Sequence, residues 1–425
     1  MNGLRIGGLF LLIAQAINCS AHADTNYQTQ YNRSLQAVLN NILPNGAVVA
    51  SPSRSNPNYY YDWVRDTALT MKTLIRVAYD SRTSADMKTV INGKIDTWIN
   101  WELARQRTPK LTDMGEPRFN VDGTASFDPW GRPQNDAPAS RALAGIEIAN
   151  HWINEGRLAD VQSRLYAGVL PSNTLIKQDL EYVAHHWSDA SYDLWEEELG
   201  THFYALTVQK VALLKGAALA NRMNDQLAAS FYQTQANAIQ NLLGQFYDAD
   251  QGIIRFALDL RTNLANKTSP LDIAVVLAAI QTFDGTFYVD ASQVRSTLQA
   301  LISQAHSAFS VNAVKQNAQG ASLGVAIGRY PYDIYSGFDF SGGNPWFLAT
   351  LAAAEFYCDQ NQVNNHPASN MTPAAKAQFD RALFHVSSDG SMSEQFNRYS
   401  GFEQGANDLT WSHVSYLTSY LACFN

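Results

Sequence analysis

The 425-residue sequence has few basic side chains, and this scarcity excludes one class of partner. Only 30 residues are Lys or Arg, they are dispersed along the chain, and the formal net charge is -8. Phosphate backbones are bound by clustered basic side chains, so a nucleic-acid partner is not expected. A hydrophobic content of 46% is sufficient for a large core, and a neutral ligand fits this composition better.

Several familiar catalytic patterns are also missing. The nine histidines form no HExxH motif, and the adjacent His185 and His186 would point to different sides of a helix, so we expect no metal site. The sequence contains neither a Walker loop nor a GxSxG nucleophile motif. We therefore expect no cofactor, and paired carboxylates become the natural catalytic candidates.

Cysteine is scarce, and one of the three cysteines lies in the N-terminal segment. This segment has a single Arg5, an apolar run over Ile6–Ile17 and small residues at Ala21 and Ala23. The pattern is typical of a secretory signal peptide, residues 1–23, which is cleaved after its last alanine. The apolar run is too short to span a bilayer, so the mature chain is not expected in a membrane. Cys19 could instead mark a lipoprotein, although its context fits that pattern poorly.

The mature chain would keep only Cys358 and Cys423, both in late predicted helices. Export permits a disulfide between them, and two buried thiols are the equal alternative. The expected location is extracellular or periplasmic, and the protein is expected to act as a monomer.

No linker, repeat or low-complexity tract divides the rest of the chain, so residues 24–425 are predicted to form one domain. Strand alternation is rare. Helical periodicity predicts twelve helices, the first over Asn32–Leu43, and a thirteenth short one over Leu158–Tyr166. Such a set can close as a double ring, with one set of helices inside the other. Three long segments separate them: Lys110–Ala137, Ala313–Asn344 and Ser388–Leu409.

Aromatic, arginine and acidic residues collect in these long segments and at the helix starts beside them. The stretch YYYDWVRD (Tyr59–Asp66) has this composition, and DPWGRPQNDAP (Asp128–Pro138) and GRYPYDIYSG (Gly328–Gly337) repeat it. Aromatic rings stack on the C–H faces of sugars, while charged side chains bind sugar hydroxyls. One such segment is more often a core tryptophan beside a structural ion pair, but six of them indicate a sugar site. The other three are GGNPWF, SMSEQFN and NDLTWSH.

In their order along the chain, these segments resemble the signature regions of the glucoamylases, glycoside hydrolase family 15. The likeness extends over most of Gly46 to Tyr416 and includes DLWEE within SYDLWEEELG (Ser191–Gly200). The resemblance implies an all-α fold, an (α/α)6 barrel whose long loops form the mouth of the active site. It also implies an inverting hydrolase that releases β-glucose from the non-reducing ends of α-1,4-glucans such as starch and dextrins.

The resemblance assigns the catalytic pair to two glutamates that are far apart in sequence. Glu196 matches the general acid, and Glu394 in SEQF matches the general base. An inverting pair needs about 6.5–9.5 Å between its carboxyls so that a water molecule fits. Glu197 matches an acid that binds the second sugar. Glu198 has no counterpart in the motif, and we expect it at a solvated helix end.

The same resemblance implies a set of substrate-binding residues. Tyr59 and Gln395 are expected to orient the base and its water, and Trp130 to brace the loop of the acid. The hydroxyls of the terminal glucose are expected to be held by Arg65, Asp66 and Arg329. The apolar walls and their support are expected from Trp63, Trp195, Trp346, Trp411, Asp333 and Tyr335.

Two features depart from compact members of the family. The stretch SGFDFSGG, between Tyr335 and Asn344, is longer and is expected to change the outer sugar subsites. We expect no β-rich starch-binding module after the last helix, and therefore soluble dextrins as substrates rather than granular starch. Two alternatives stay open. One is another toroidal glycosidase, such as a glucodextranase or trehalase, and the other is an inactive carbohydrate-binding protein, which the retention of Glu196 and Glu394 speaks against.

Overall fold

The computed structural model describes residues 26–170, 173–262, 267–364 and 371–424. Twelve long helices follow one another along these residues and alternate between two positions. The odd-numbered helices are α1 (residues 26–40), α3 (Ala85–Arg107), α5 (Leu175–His186), α7 (Gln226–Leu243), α9 (Ala291–Ala308) and α11 (Pro373–His385). The even-numbered helices are α2 (Val64–Tyr79), α4 (Asp136–Asn154), α6 (Phe203–Arg222), α8 (Ala274–Gln281), α10 (Phe347–Val363) and α12 (Thr410–Cys423).

The even-numbered helices form a closed inner ring. Each packs against the next in the order α2, α4, α6, α8, α10 and α12, and α12 packs back against α2. The odd-numbered helices lie outside this ring, with α5 against α4, α7 against α6 and α11 against α10. The predicted (α/α)6 barrel is therefore confirmed. The predicted thirteenth helix is a short turn at Leu158–Asp160 that continues as a wider turn at Val161–Leu165.

The burial pattern of each helix agrees with its position. Inner helices such as α4 and α10 bury side chains on nearly every face. The outer helix α9 buries one stripe, which includes Val294, Leu298 and Leu301. A helix surrounded by others needs apolar or small residues all round, whereas an outer helix needs a single apolar face. The pattern of apolar residues in each helix thus agrees with its place in the inner or the outer ring.

The helix starts also differ between the rings. Four outer helices, α3, α7, α9 and α11, begin with side-chain caps, which are Ser84, Asp225, Asp290 and Thr372. Among the six inner helices, all of them within the described residues, five have no side-chain cap, and at the start of α8 Oδ1 of Asp272 accepts from the N–H of Ala274 at 2.8 Å. Because inner and outer helices alternate, the inner helices run in one direction. Their six N-termini therefore open at the same end of the barrel.

Short antiparallel strands fasten the loops over this end. The pairs are β1 (Asp62–Trp63) with β2 (Arg118–Phe119), β5 (Tyr247–Asp248) with β6 (Ile253–Ile254), and β8 (Gln395–Phe396) with β9 (Glu403–Gln404). A three-stranded sheet joins β3 (Ser191–Tyr192), β4 (Leu199–His202) and β7 (Ala257–Leu260) in that order. Strands this short are not stable alone, so their geometry depends on the barrel beneath them.

The first helix begins earlier than predicted. Residues are helical from position 26, whereas the sequence indicated Asn32–Leu43. Tyr27 and Tyr31 lie one turn apart and continue the buried stripe of Leu35 and Val38 towards the N-terminus. Their polar neighbours conceal this stripe in the sequence.

Contacts between distant parts of the chain close the ring. The backbone N–H of Thr410 donates to the carbonyl of Ala50 at 2.8 Å, and its hydroxyl donates to the carbonyl of Val49 at 2.7 Å. Cys358 of α10 and Cys423 of α12 form a disulfide with 5.1 Å between their Cα atoms. The bridge joins two neighbouring inner helices, so the alternative of two free thiols does not apply.

One helix among the described residues, α6, is long and apolar enough to cross a membrane by length and composition alone. The apolar window of this helix is 83% buried, as its place in the inner ring requires. A core helix therefore accounts for its composition. The predicted signal peptide, including Cys19, lies outside the described residues.

Candidate active site

A cavity of about 440 Å³ opens at the N-terminal ends of the inner helices. Its volume falls within the range of about 300–1,000 Å³ that small-molecule sites occupy. Thirteen of the fifteen predicted site residues line it, and the other two, Asp333 and Gln395, contact lining residues from behind. The thirteen are Tyr59, Trp63, Arg65, Asp66, Trp130, Trp195, Glu196, Glu197, Arg329, Tyr335, Trp346, Glu394 and Trp411.

Glu196 lies on a tight turn between β3 and β4. Its backbone has a φ of +69°, a left-handed conformation that is uncommon outside glycine. Asp193 holds the turn, because its Oδ1 accepts hydrogen bonds from the backbone N–H groups of Glu197 and Glu198 at 2.8 and 3.1 Å. Such backbone conformations persist where the surroundings enforce them, often at functional sites. The turn therefore presents Glu196 to the cavity in one fixed orientation.

Hydrogen-bond donors surround the carboxyl group of Glu196. The ring N–H of Trp63 donates to Oε1 at 2.7 Å, that of Trp130 to Oε2 at 2.5 Å, and the amide of Gln134 to Oε1 at 3.0 Å. Trp130, which was predicted to brace the loop, thus bonds to the carboxyl itself. Burial raises the pKa of Glu196, and Arg65 and these three hydrogen bonds act in the opposite direction. A raised pKa suits a group that must carry a proton under mildly acidic conditions.

The two glutamates that follow have different environments. Glu197 accepts hydrogen bonds from Nη2 of Arg329 and from the hydroxyl of Tyr330, both at 2.7 Å. Glu198 was predicted at a solvated helix end, and this prediction is wrong. It is fully buried, and its Oε2 accepts a hydrogen bond from the hydroxyl of Thr262 at 2.9 Å. The partner lies in a distant segment, so three consecutive acids could not be told apart from sequence.

Glu394 lies in a second wall of the cavity, directly before β8, and is 1% exposed. The hydroxyls of Tyr59 and Tyr335 lie 2.9 Å apart, and both hydrogen-bond to Glu394. The terminal amide of Gln395 lies 3.4 Å from Oε2 of Glu394 and 2.9 Å from Nδ2 of Asn344. The predicted partners of the base are therefore in contact with it.

Burial is the largest influence on the pKa of Glu394 and raises it to about 8. The positive charge of Arg329 and the hydrogen bonds from Tyr59 and Tyr335 lower the pKa, while nearby Asp333 adds to the rise. A general base acts as the carboxylate, so these donors help to set the fraction of Glu394 that is ready to accept a proton.

Arg65 and Asp66 form a charged pair in the wall of the cavity. Nη1 of Arg65 donates to Asp136 at 3.0 Å and to Gln134 at 3.1 Å. Its buried Nε has no hydrogen-bond partner among the described residues and lies 3.8 Å from Oδ2 of Asp66. Burial raises the pKa of Asp66 to about 6, and Arg65 opposes that rise. The pair thus combines a donor and an acceptor at the inner end of the cavity.

Arg329 is fixed before any ligand enters. Asp333 accepts from its Nε and Nη2, both at 2.8 Å, and Glu197 accepts from Nη2 at 2.7 Å. The guanidinium carbon lies 5.3 Å from the ring centres of Trp195 and Trp346. A guanidinium group held by a carboxylate in this way points its remaining N–H groups in a fixed direction. Asp333 therefore fixes the orientation of Arg329.

Trp195 anchors the aromatic wall. Its ring N–H donates to the two carboxyl oxygens of Asp272 at 2.9 and 3.0 Å. Its ring lies 5.5 Å from that of Trp346 and 6.2 Å from that of Trp411. All three tryptophans are more than nine-tenths buried and still line the cavity. They present apolar faces that suit the C–H faces of a sugar.

Sequence reasoning missed a layer of polar residues behind the lining. Gln134 and Asp136 hold Glu196 and Arg65, and Tyr330 holds Glu197. All three lie inside the segments rich in aromatic, arginine and acidic residues, so their position in the sequence could have identified them.

A buried ion cluster supports the turn that carries the acid. Nζ of Lys267 lies 2.6 Å from Oδ2 of Asp193, 3.4 Å from Asp272 and 3.6 Å from Glu197. Burial acts to raise the pKa of Asp193, but Lys267 and nearby groups lower it to about 2. Asp193 therefore stays ionised and holds the turn in mild acid. Nothing in the sequence around Lys267 indicates this role.

The cavity combines the carboxyls of Glu196 and Glu394 with fixed cations and apolar rings. Within the described ranges, no group of three His, Cys, Asp or Glu side chains is placed to hold a metal ion. Two carboxyls with separate sets of donors are the groups required for acid–base cleavage of a glycosidic bond. The rings and the fixed arginines suit a neutral sugar.

Comparison with known proteins agrees with this geometry. The family model for glycosyl hydrolases family 15 matches residues 31–372 and 360–421. The chain belongs to this family. A family 15 glycosyl hydrolase is an enzyme, so the alternative of an inactive binding protein is not supported.

Among family 15 hydrolases, the chain is similar to several glucoamylases. It is 33% identical over 450 residues to glucoamylase from Blastobotrys adeninivorans, which covers 94% of this chain and 72% of that protein. It is 32% identical over 470 residues to a probable glucoamylase from Schizosaccharomyces pombe, which covers 98% of both chains. The structure of glucoamylase from Saccharomycopsis fibuligera is similar with a TM-score of 0.80 at 30% identity, over 94% of this chain and 95% of that chain. The resemblance to glucoamylases is confirmed.

Proposed function

We propose that this chain is an exo-acting, inverting hydrolase that releases β-glucose from the non-reducing ends of α-1,4-glucans, with soluble dextrins as preferred substrates. The observation that carries the proposal is the pair Glu196 and Glu394, two carboxyls that line one cavity and have separate donors, Glu196 partly exposed and Glu394 buried. Buried Arg65 and Trp411 lie at its inner end, which suits a chain end rather than the middle of a chain.

In this mechanism Glu196 gives its proton to the glycosidic oxygen while the bond to the anomeric carbon breaks. Glu394 removes a proton from a water molecule, whose oxygen bonds to the anomeric carbon from the other face. An α-linked sugar then leaves as the β-anomer, without a covalent intermediate. Glu196 ends ionised and Glu394 protonated, and exchange with solvent restores both.

The contacts around each carboxyl support this division of roles. Trp63, Trp130 and Gln134 keep the acid in one position, while Tyr59 and Tyr335 favour the ionised form of the base. The terminal glucose would be held by groups with a fixed direction: the guanidinium of Arg65, the carboxyl of Asp66 and the guanidinium of Arg329.

Time-resolved proton NMR of maltose hydrolysis tests the proposal. We expect β-glucose to accumulate first, with no larger oligosaccharide product. Early accumulation of α-glucose would overturn the inverting mechanism and the role of Glu394. Parallel assays with isomaltose and trehalose separate this activity from that of other toroidal glycosidases, because only the linkage differs.

We further propose that residues 24–425 form one catalytic domain that acts as a monomer outside the cytoplasm. The disulfide between Cys358 and Cys423 supports export, since such bonds persist in oxidising compartments. Mass spectrometry of the secreted or envelope fraction should give a mature start near Asp24. An active cytoplasmic pool that retains Met1 would contradict export, and sedimentation of the purified protein tests the monomer.

A further inference from the structure

Two exposed phenylalanines lie at the mouth of the cavity. Phe338 is 56% exposed and Phe340 is 73% exposed, and both line the same cavity as the two catalytic carboxyls. The inner end, by contrast, is formed by buried side chains such as Arg65 and Trp411. Exposed apolar rings at the edge of a ligand cavity indicate a surface that a ligand or partner covers on binding.

The loop that carries these rings, residues 336–343, is held by its own hydrogen bonds. Oδ1 of Asp339 accepts from the hydroxyl of Ser336 at 2.6 Å, and from the backbone N–H and the hydroxyl of Ser341 at 3.0 and 2.6 Å. Gly337 has a φ of +92°, and a Cβ there would lie 2.8 Å from the Cα of Gly405. The two phenylalanines flank Asp339, so the loop presents them from a fixed base.

A neighbouring loop, residues 397–404, fastens this base to the barrel. Nη1 of Arg398 donates to the carbonyl of Gly343 at 3.1 Å, and the amide of Gln404 donates to the carbonyl of Ser336 at 2.6 Å. This second loop carries Phe402, which is 79% exposed but is not among the described residues that line the cavity. Phe402 therefore offers a matched control, a phenylalanine with similar exposure on an adjoining loop.

A series of neighbouring rings connects the inner end of the cavity with its mouth. The ring centres of Trp411 and Trp195 are 6.2 Å apart, and those of Trp195 and Trp346 are 5.5 Å apart. Tyr335 follows at 6.3 Å from Trp346, and Phe340 at 6.3 Å from Tyr335. The exposed rings are thus continuous with the aromatic wall that faces the substrate.

Resting on the proposed exo-acting function, we propose that Phe338 and Phe340 form a ledge that binds the sugars of an α-glucan beyond the cleaved bond. A chain whose non-reducing end occupies the inner end of the cavity must leave through the mouth, where these rings lie. The C–H faces of glucose stack on uncharged aromatic rings, and a neutral polymer needs no charged partner there. In this chain the two phenylalanines would add to the affinity for long dextrins and leave that for maltose largely unchanged.

The test compares kcat/KM for glucose release from maltoheptaose and from maltose, because maltose is too short to reach far along the ledge. In the double variant Phe338→Ala, Phe340→Ala, we expect the ratio of the two values to fall roughly tenfold, mainly through KM for maltoheptaose. Phe402→Ala should leave the ratio unchanged. An unchanged ratio in the double variant, or an equal fall in Phe402→Ala, would overturn the ledge.

A binding measurement separates this inference from the proposed function. Maltoheptaose is titrated into Glu196→Gln with and without the two phenylalanine substitutions, and the dissociation constants are compared by calorimetry. If the wild type released no glucose from any dextrin, the proposed function would fail, yet weaker binding in the triple variant would still support the ledge. Equal binding beside normal turnover in the wild type would remove the ledge alone.

Sedimentation of the double variant checks for a contact between copies, and a changed oligomeric state would assign the rings to that contact instead.

Discussion

Two cavities of similar volume open at opposite ends of the inner ring, and their linings differ. The cavity at the N-terminal ends of the inner helices holds about 440 Å³, and the one at their C-terminal ends about 420 Å³. The first joins tryptophan faces to buried carboxyls. The second is lined largely by polar side chains, which include Lys72, Arg76, His151 and Lys215. The two cavities therefore differ in chemistry rather than in volume, because the first joins two carboxyls with dedicated donors to an aromatic wall.

Helix direction accounts for part of this contrast. The N-terminus of a helix carries a partial positive charge and the C-terminus a partial negative charge, and each acts within about one turn. The inner helices run in parallel, so their six N-termini, five of them without a side-chain cap, face the end where Asp66, Glu196 and Glu394 lie. At the opposite end, where the carbonyl ends of the same helices lie, the lining includes Lys72, Arg76, His151 and Lys215 together with two acids, Glu147 and Asp284.

The largest effect on activity should come from replacing a carboxyl at the cavity that contains Glu196 and Glu394. Glu196→Gln and Glu394→Gln should each lower kcat by roughly 10²–10⁴-fold, because an amide can neither donate nor accept the proton that general acid–base catalysis requires. Maltose binding should be largely retained in calorimetry. Glu197→Gln should weaken substrate capture more than it lowers kcat, since its carboxyl holds Arg329.

The matched control for these variants is Glu147→Gln, which changes a carboxyl at the opposite cavity and should leave glucose release unchanged. If Glu196→Gln or Glu394→Gln kept more than a few per cent of the activity, the assignment of that residue would be wrong.

The next effect concerns stability rather than chemistry. The disulfide between Cys358 and Cys423 spans 65 residues of sequence and joins α10 to α12. The double variant Cys358→Ser, Cys423→Ser should lower the free energy of unfolding by about 4 kcal/mol, because the unfolded chain gains the entropy of an open loop. Denaturant unfolding measures this loss. At low temperature kcat should remain unchanged, and a loss of kcat in a fully folded variant would show that the bridge also shapes the active site.

A smaller effect, on the pH dependence of kcat/KM, should distinguish the general acid from the general base. Tyr59→Phe removes a donor to the carboxylate of Glu394, so the pKa of Glu394 rises and less of it is ionised at a given pH. The acidic limb of the kcat/KM profile should then move to higher pH. Trp63→Phe removes a donor to Glu196, and because the acid must be protonated, the basic limb should move to higher pH. If each variant moved the other limb, the two catalytic roles would have to be exchanged.

The smallest effect on activity is expected from Lys72→Met at the opposite cavity. Burial lowers the pKa of Lys72 to about 8, so its charge opposes folding at lower pH, and this penalty fades as the pH rises through 8 towards the ordinary value. In the methionine variant this contribution to the pH dependence of unfolding should disappear, while glucose release stays unchanged. A marked loss of activity would show that the two ends of the barrel are coupled.

Sequence reasoning succeeded where one segment carried its own signal. The twelve helices follow from local periodicity, and the lining of the cavity follows from motifs that resemble those of a known family. Sequence reasoning failed for residues whose environment depends on a partner that is distant in sequence. Lys267 and Asp272 support the site only because packing brings them to Asp193, and Glu198 is buried because Thr262, far along the chain, provides a hydrogen bond. The resemblance could name the reacting groups, but it could not name the residues that hold them.

The closure of the inner ring by α12 sets an order of events during synthesis. α12 packs against α2, and Thr410 bonds to Val49, which precedes it by 361 positions. Contacts of such long sequence separation cannot form until the later segment has left the ribosome. Trp411 belongs to that late segment, so the sugar cavity is completed last. The cavity that contains Glu196 and Glu394 is therefore complete only once the chain up to α12 has been made.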